Sequence, residues 1–372
     1  MSPTITRVEC HLFRAPIATP VANAFGALVD RPMVLVRLAA SDGATGWGES
    51  FSNFPPGGAE HRARLVTTLF APLLDGAPGA DPDALRALLE RRTHVMAIQC
   101  GEPGPFAQVI GAIDQAAWDM AARRAGAPLW RHLGGRDPRV RVYASGIGPD
   151  RVGAVARARH DQGYRAFKLK VGFGAARDRA NLAEMRAELG APATIMVDAN
   201  QAWTPADAPA RIAELAAFAP HWVEEPMAAD VPLDAWRTLA AQSAVPLAAG
   251  ENLRGLEAFH AAIDAGALAF VQPDVGKWGG VGGCLAVARY AVQRGVAYCP
   301  HWLAGGVGLA ASMHVLAAAG GGAGFLEVDA NPNPLREEVF PLDVHDGIAT
   351  LSDAPGLGVE PDLARLARFA RR

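Results

Sequence analysis

A polar or charged residue closes a short β-rich run every 23 to 28 positions across the second half of this 372-residue chain, and no other feature restricts its fold as tightly. The runs are VRVYASG, AFKLKVG, TIMVDAN, HWVEEP, PLAAGEN, AFVQPD, VAYCP and GFLEVD. Seven Ala-rich stretches with helical periodicity separate them, among them PADAPARIAELAAF and VGGCLAVARYAVQRG. Eight strands alternating with seven helices over roughly 200 residues predict a (β/α) barrel. A doubly wound open sheet also alternates, but it needs a Gly-rich nucleotide turn after its first strand, and VRVYASGIGPD lacks that spacing.

The region before the barrel, residues 1–130, reads differently. RPMVLVRLAASDGATGWGES predicts strand, Asp42-Gly43 turn, strand. DPDALRALLERR and FAQVIGAIDQAAWDMAARRAG follow a helical period, with Val109, Ile113, Ala116 and Met120 on one face and Gly126 as the stop. This is a small α+β unit. The barrel is expected over 131–330, and the Pro- and Gly-rich tail 331–372 is expected to leave it and return to cover something.

With 50% hydrophobic and 20% charged residues, the chain can bury a sizeable core. A net charge of −3, from 35 basic against 38 acidic residues, gives no electrostatic case for nucleic acid or an anionic membrane. Cys10, Cys100, Cys284 and Cys299 are scattered without CxxC spacing and read as thiols of a reducing compartment. MSPTITRVECHLFRAP shows no signal-peptide pattern, so a cytoplasmic location is expected.

The strand ends carry the chemistry. Lys170, Asp198, Glu224, Glu251, Asp274, His301 and Glu327 follow one another at intervals of 28, 26, 27, 23, 27 and 26 residues, each about one βα unit. The C-terminal ends of barrel strands open onto one mouth, so these residues are expected to converge. Asp198, Glu224 and Glu251 from three consecutive strands would repel one another unless a divalent cation joined them, and all-oxygen ligation favours Mg²⁺, with Mn²⁺ as the alternative. In GYRAFKLKVGFG, Phe167, Leu169 and Val171 alternate with Lys168 and Lys170. Two lysines on one face suit either an edge strand in water or a pocket. In a pocket, mutual repulsion lowers a lysine pKa and makes Lys170 a usable base. Asp274 would orient His301 and stabilise its charged form.

Taken together, KLK, VDAN, EEP, GEN, QPDVGK, PHW and LEVD, with GWGES and IDQAAWDMAARRAG nearer the start, resemble the mandelate racemase subgroup of the enolase superfamily over the whole chain. The resemblance implies a modified TIM barrel, (β/α)₇β, capped by an α+β domain built from the N-terminal region and the tail. It implies Asp198, Glu224 and Glu251 as Mg²⁺ ligands, Lys170 as base on one face, Lys168 as its pKa-tuning neighbour, and His301 with Asp274 on the opposite face. Glu327 corresponds to a protonated acid that donates to the substrate carboxylate, and Asn200 and Lys277 to positions that line the site.

The implied chemistry is removal of the α-proton of a carboxylate through a stabilised enediolate. If His301 then protonates a departing β-hydroxyl, an acid sugar gives a 2-keto-3-deoxy acid; if it returns a proton to carbon, the enzyme is a racemase or epimerase. Dehydration is the leading expectation. From another class, GVGLAA at Gly306 fits GxGxxA with Glu327 at 21 residues' distance, the mark of an NAD-dependent oxidoreductase, although no strand ends directly before it. The expected partner is a small hydroxy-carboxylate or acid sugar, with no nucleic acid or membrane, and a homo-oligomer is expected. Substrate choice would lie in the loops PIATPVANAFGALVDR and SFSNFPPGGAEHR, whose charges are few apart from Arg31, His61 and Arg62.

Overall fold

The computed structural model of the protein describes residues 2–371. Three antiparallel strands come first: β1 (Ile5–Asn23), β2 (Gly26–Ala40) and β3 (Thr45–Ser50). Asp42 and Gly43 connect β2 to β3, with the positive φ confined to Gly43 at 85°. Strand β2 is buried along Pro32–Val36 and beyond because its alternate side chains serve two cores. Met33 and Leu35 pack with the barrel, whereas Val36, Leu38 and Ala40 pack on the helix Pro103–Arg124. Val109, Ile113, Ala116 and Met120 form the buried face of that helix as the periodicity predicts, and Gly126 follows its end at φ 62°. Gly48 permits the close approach: a Cβ there would lie 1.9 Å from the Ala112 carbonyl oxygen.

Eight parallel barrel strands follow: β4 (Arg139–Ile147), β5 (Ala166–Lys170), β6 (Thr194–Asp198), β7 (Val223–Glu224), β8 (Leu247–Ala249), β9 (Phe270–Val271), β10 (Ala297–Tyr298) and β11 (Phe325–Asp329). They hydrogen-bond in the order β10-β9-β8-β7-β6-β5-β4-β11, with one helix in each of the seven crossovers. No backbone ladder joins β10 to β11 among the described residues. That seam is held by the Phe325 N–H donating to Cys299 Sγ at 3.4 Å, and Gly324 lets the strands touch, since a Cβ there would lie 2.1 Å from the Tyr298 carbonyl oxygen.

Strand β5 lies between β4 and β6, so the edge-strand reading of its lysines fails. Phe167, Leu169 and Val171 pack outward against helices, and Ala166 belongs to an interior layer with Tyr143, Met196 and Trp222. Lys168 and Lys170 share the interior face above that layer, 0% and 5% exposed.

The tail does two things. A further strand, β12 (Ile348–Thr350), pairs antiparallel with β4, and the chain then runs over the capping unit. Leu357 N–H donates to Asp119 at 2.7 Å, Trp47 Nε1–H to Glu360 at 3.0 Å, and Arg371 N–H to the Leu12 carbonyl at 2.9 Å. No helix of the described residues is long and apolar enough to cross a membrane.

His314 belongs to this packing. Its Nδ1 accepts the Trp130 N–H at 2.9 Å and its Nε2 faces the Leu357 carbonyl at 3.2 Å, an arrangement that needs the neutral ring protonated on Nε2. Burial pushes its pKa down from 6.5 to about 4. The unfolded chain therefore takes up the proton first, and the stabilisation present above pH 6.5 is lost as pH falls towards 4. Urea unfolding of the wild type and His314→Gln should show the wild type losing about 2 kcal/mol more between pH 7 and 5; parallel losses would refute this reading of the ring.

Candidate active site

Strand register brings the expected residues together. Lys170 is paired with Asp198 and Asp198 with Glu224 across β5, β6 and β7, and Glu251 follows the end of β8. Lys170 Nζ lies 2.6 Å from Asp198 Oδ2. Lys168 Nζ lies 2.6 Å from Glu224 Oε1 and 2.7 Å from Glu327 Oε1. Trp222, filling the barrel beneath, donates from Nε1 to Glu224 Oε2 at 3.2 Å, and Gln272 donates to the same oxygen at 2.6 Å.

Across the mouth, His301 Nδ1 lies 2.6 Å from Asp274 Oδ2, while its Nε2 contacts Glu251. Asp274 is itself fixed, because its other oxygen accepts the backbone N–H groups of Gly276 and Lys277 at 2.7 and 2.9 Å. Burial opposes a charge on His301, but Glu251, Glu327 and the Asp274 hydrogen bond outweigh it and raise the pKa to about 10. Lys277 lies over the Phe51 ring at 4.6 Å and 3.4 Å from Glu251. Asn200, at φ 43°, donates its backbone N–H to Asp198 at 2.8 Å and its side-chain amide at 3.2 Å.

Two expectations require correction. The repulsion between Lys168 and Lys170 exists but does not decide their protonation. Burial acts to lower each pKa, yet Glu224 and Glu327 around Lys168, and Asp198 beside Lys170, hold both ammonium groups above the usual lysine value. Glu327 is not a protonated donor in this arrangement. Burial would raise its pKa, but Lys168 and His301 bring it down to about 2, and it accepts from Lys168, from Ser145 Oγ at 2.5 Å and from the Trp302 N–H at 2.9 Å. Its surroundings supply only donors, so the carboxylate is the form they select.

Sequence reasoning missed several groups. Glu225, next to Glu224, should point away from the mouth by strand alternation, but β7 ends there and φ turns positive at 39°, so its carboxylate reaches the Asn252 amide at 2.8 Å. Burial, then the charges of Glu251 and Asp198, hold Glu225 well above the usual carboxylate range. Asp329 also joins the mouth, paired with buried Arg31 at 2.7 Å; its position two residues after Glu327 was the available signal. Of the other charges noted in the capping loops, His61 pairs with Glu102 and Arg62 donates to Gln108.

Among the described residues no three His, Cys, Asp or Glu groups stand as a ready-made metal cage, because each expected ligand is turned onto a cation. The chemistry of the donor set nonetheless fits a divalent ion. Six carboxylates (Asp198, Glu224, Glu225, Glu251, Asp274, Glu327) face the ammonium groups of Lys168, Lys170 and Lys277 and one imidazole. Even with His301 protonated and Glu225 neutral, one negative charge remains in excess. Two buried oxygens here, Asn200 Oδ1 and Glu225 Oε2, also lack a hydrogen-bond donor among the described residues. All these donors are oxygen, the preference of a hard cation.

The site opens into a cavity of about 320 Å³. Lys170, Glu251 and His301 lie at its floor; the segment expected as the first capping loop is the β1–β2 hairpin, which supplies Phe25 and Arg31 over it, and the segment after β3 supplies Asn53 and Phe54. The glycines of GVGLAA are used for packing. A Cβ at Gly308 would lie 2.1 Å from the Trp302 ring, and one at Gly306 would lie 2.8 Å from the Phe340 nitrogen, which leaves no berth for a dinucleotide.

This capped barrel with its ring of strand-end acids and bases has clear relatives. Residues 151–365 match the family described as Enolase C-terminal domain-like, and residues 7–134 match Mandelate racemase / muconate lactonizing enzyme, N-terminal domain. The chain thus belongs to the mandelate racemase / muconate lactonizing enzyme family of the enolase superfamily. It is 32% identical to D-galactarolactone cycloisomerase of Agrobacterium fabrum over 98% of each chain. It is 31% identical to L-talarate/galactarate dehydratase of Salmonella typhimurium, over 94% of this chain and 87% of that one. Among solved structures it resembles a mandelate racemase/muconate lactonizing enzyme from Bordetella bronchiseptica RB50, with 50% identity, a TM-score of 0.94 and coverage of 99% and 100%. A racemase from Streptomyces coelicolor A3(2) with bound magnesium aligns at 32% identity and a TM-score of 0.89, over 99% of this chain and 100% of that one.

Proposed function

We propose that this protein is a Mg²⁺-dependent acid-sugar dehydratase, which removes the α-proton of a polyhydroxy carboxylate and expels the β-hydroxyl to give a 2-keto-3-deoxy acid. The observation that carries this reading is the placement of Lys170 and the Asp274-held His301 in one cavity, on strands separated by the carboxylates Asp198, Glu224 and Glu251. A base and an acid are thereby offered to one small molecule. Above them the lining is rich in neutral amides, among them Asn53, Gln108, Asn200, Gln201 and Asn331, which suits a chain of hydroxyl groups better than a simple 2-hydroxy acid.

Asp198, Glu224 and Glu251 would hold Mg²⁺, with Asn200 Oδ1 and Glu225 Oε2 free to take up its waters. When bound, the ion supplies Lewis-acid stabilisation of the charge that develops on the substrate carboxylate. The protein's own groups do the rest. Lys168, held between Glu224 and Glu327, presents a fixed positive charge beside that carboxylate. Lys170, which must first give up the proton that Asp198 favours in this arrangement, accepts the α-proton as the amine, and His301, kept oriented by Asp274, gives its proton to the departing oxygen. Phe51 and Phe54 add apolar rings to the cavity lining.

A second reading shares every step but the last. If the β-oxygen belongs to a ring, expelling it opens the ring and the reaction is a cycloisomerisation; the 32% identical relative matched over nearly its full length is a cycloisomerase. Assay of the magnesium-loaded protein in D₂O against acid sugars, their lactones and anhydro forms, followed by NMR, tests both. The expected product is a 2-keto-3-deoxy acid from an open-chain acid. Formation of it only from ring forms would select the second reading, and α-deuterated substrate of both configurations without any keto acid would make the protein a racemase.

A further inference from the structure

We infer that the substrate carries a second carboxylate at its far end and that Arg254 receives it, which makes the substrate a diacid. This rests on the proposed function. Five cationic side chains line the cavity, and four are engaged: Lys170 by Asp198, Lys277 and His301 by Glu251, and Arg31 by Asp329. Arg254 alone has no hydrogen bond or ion pair among the described residues. It stands at the exposed rim, three residues beyond Glu251 on the loop that leaves β8. Gly104, on the capping side, gives it room, since a Cβ there would lie 3.3 Å from Arg254 Nη1.

The charges divide the cavity into two ends. At the floor, lysines, His301 and the carboxylate cluster are matched to one substrate carboxylate and the reacting carbon. The rim then offers an unmatched planar guanidinium, in a cavity whose lining on the capping side includes the neutral Asn53 and Gln108. One guanidinium fork fits one carboxylate, with two parallel N–H···O bonds, whereas a doubly charged phosphate would call for further cations. A cavity of about 320 Å³ accommodates a chain of five or six carbons between the two ends. Lys277 and Arg31 cannot substitute, as each is already committed to a carboxylate of the protein.

Calorimetry on the magnesium-loaded Lys170→Ala variant, which binds without turning over, tests the assignment with a set of six-carbon diacids such as galactarate and the monoacids that match them in configuration, such as galactonate. The best diacid should bind about tenfold more tightly than its monoacid, and adding Arg254→Gln should remove that preference. Equal binding, a preference that survives Arg254→Gln, no binding by any diacid, or tighter binding of a phosphorylated sugar acid would each overturn the inference. Solvent deuterium exchange on the native protein separates the two claims. Selective diacid binding through Arg254 without any α-proton exchange would leave the diacid site standing and remove the proposed reaction.

Discussion

Replacing Lys170 with Ala should lower α-proton exchange with solvent deuterium by about 10²- to 10⁴-fold, the range of a lost general base, for a substrate that presents its proton to the β5 wall. Magnesium binding, followed by calorimetry, stays close to wild type, because Lys170 is a counter-ion of Asp198 and not one of the carboxylates. The two readouts together distinguish a lost base from a collapsed site. The variant also leaves Asp198 with one ammonium fewer, the more distant Lys168 at 3.7 Å being the other, so weakened ion binding would mean that Lys170 organises the carboxylates.

His301→Asn separates the two halves of the reaction. Asn can still meet Asp274 but has no proton to give a leaving oxygen, so keto acid formation falls by about 10²- to 10⁴-fold. Exchange from the lysine side persists at a slower rate, since Lys170 stands on the opposite wall and keeps its own partner. Exchange without elimination is the expected signature, read by NMR in D₂O as α-deuterium accumulating in unconverted substrate. If both variants keep wild-type rates, the chemistry is not at this mouth.

The barrel was legible because its evidence is periodic. One βα unit repeats, each strand ends in a group with chemistry, and the register of β5, β6 and β7 then puts Lys170, Asp198 and Glu224 side by side. Alternation likewise put Lys168 and Lys170 on one face of β5, and the phase with the later strand ends pointed that face inward. Two kinds of information were not in the pattern. The first is protonation, which depends on partners brought from elsewhere: Glu327 reads as a candidate donor in LEVD, and only Lys168, Ser145 and the Trp302 N–H, converging from other strands, make it an acceptor. The second is what happens where a strand stops. Glu225 and Arg254 lie beyond the last residue of β7 and of β8, where a two-residue repeat no longer states which way a side chain points. The cap followed local rules well, as the buried stripe of Pro103–Arg124 shows, but its docking onto the barrel combines apolar packing with long-range polar contacts, such as Gln115 to the Val275 carbonyl, that have no local signature.

One of those contacts bears on how such a protein could be re-engineered. Glu49, from β3 of the cap, accepts the backbone N–H groups of Gly305 and Gly308, on the segment that begins at His301, and Gln115 bonds both the Glu49 backbone and the Val275 carbonyl next to Asp274. The cap therefore serves as the jig for His301, the proposed acid, as well as the roof over the cavity. A chimera that grafts a foreign cap to change specificity inherits a new mount for His301 at the same time. Grafts confined to the β1–β2 hairpin within 16–31 and to the segment 51–62, which leave Glu49 and Gln115 in place, are the exchange units that keep recognition separable from the mounting of His301.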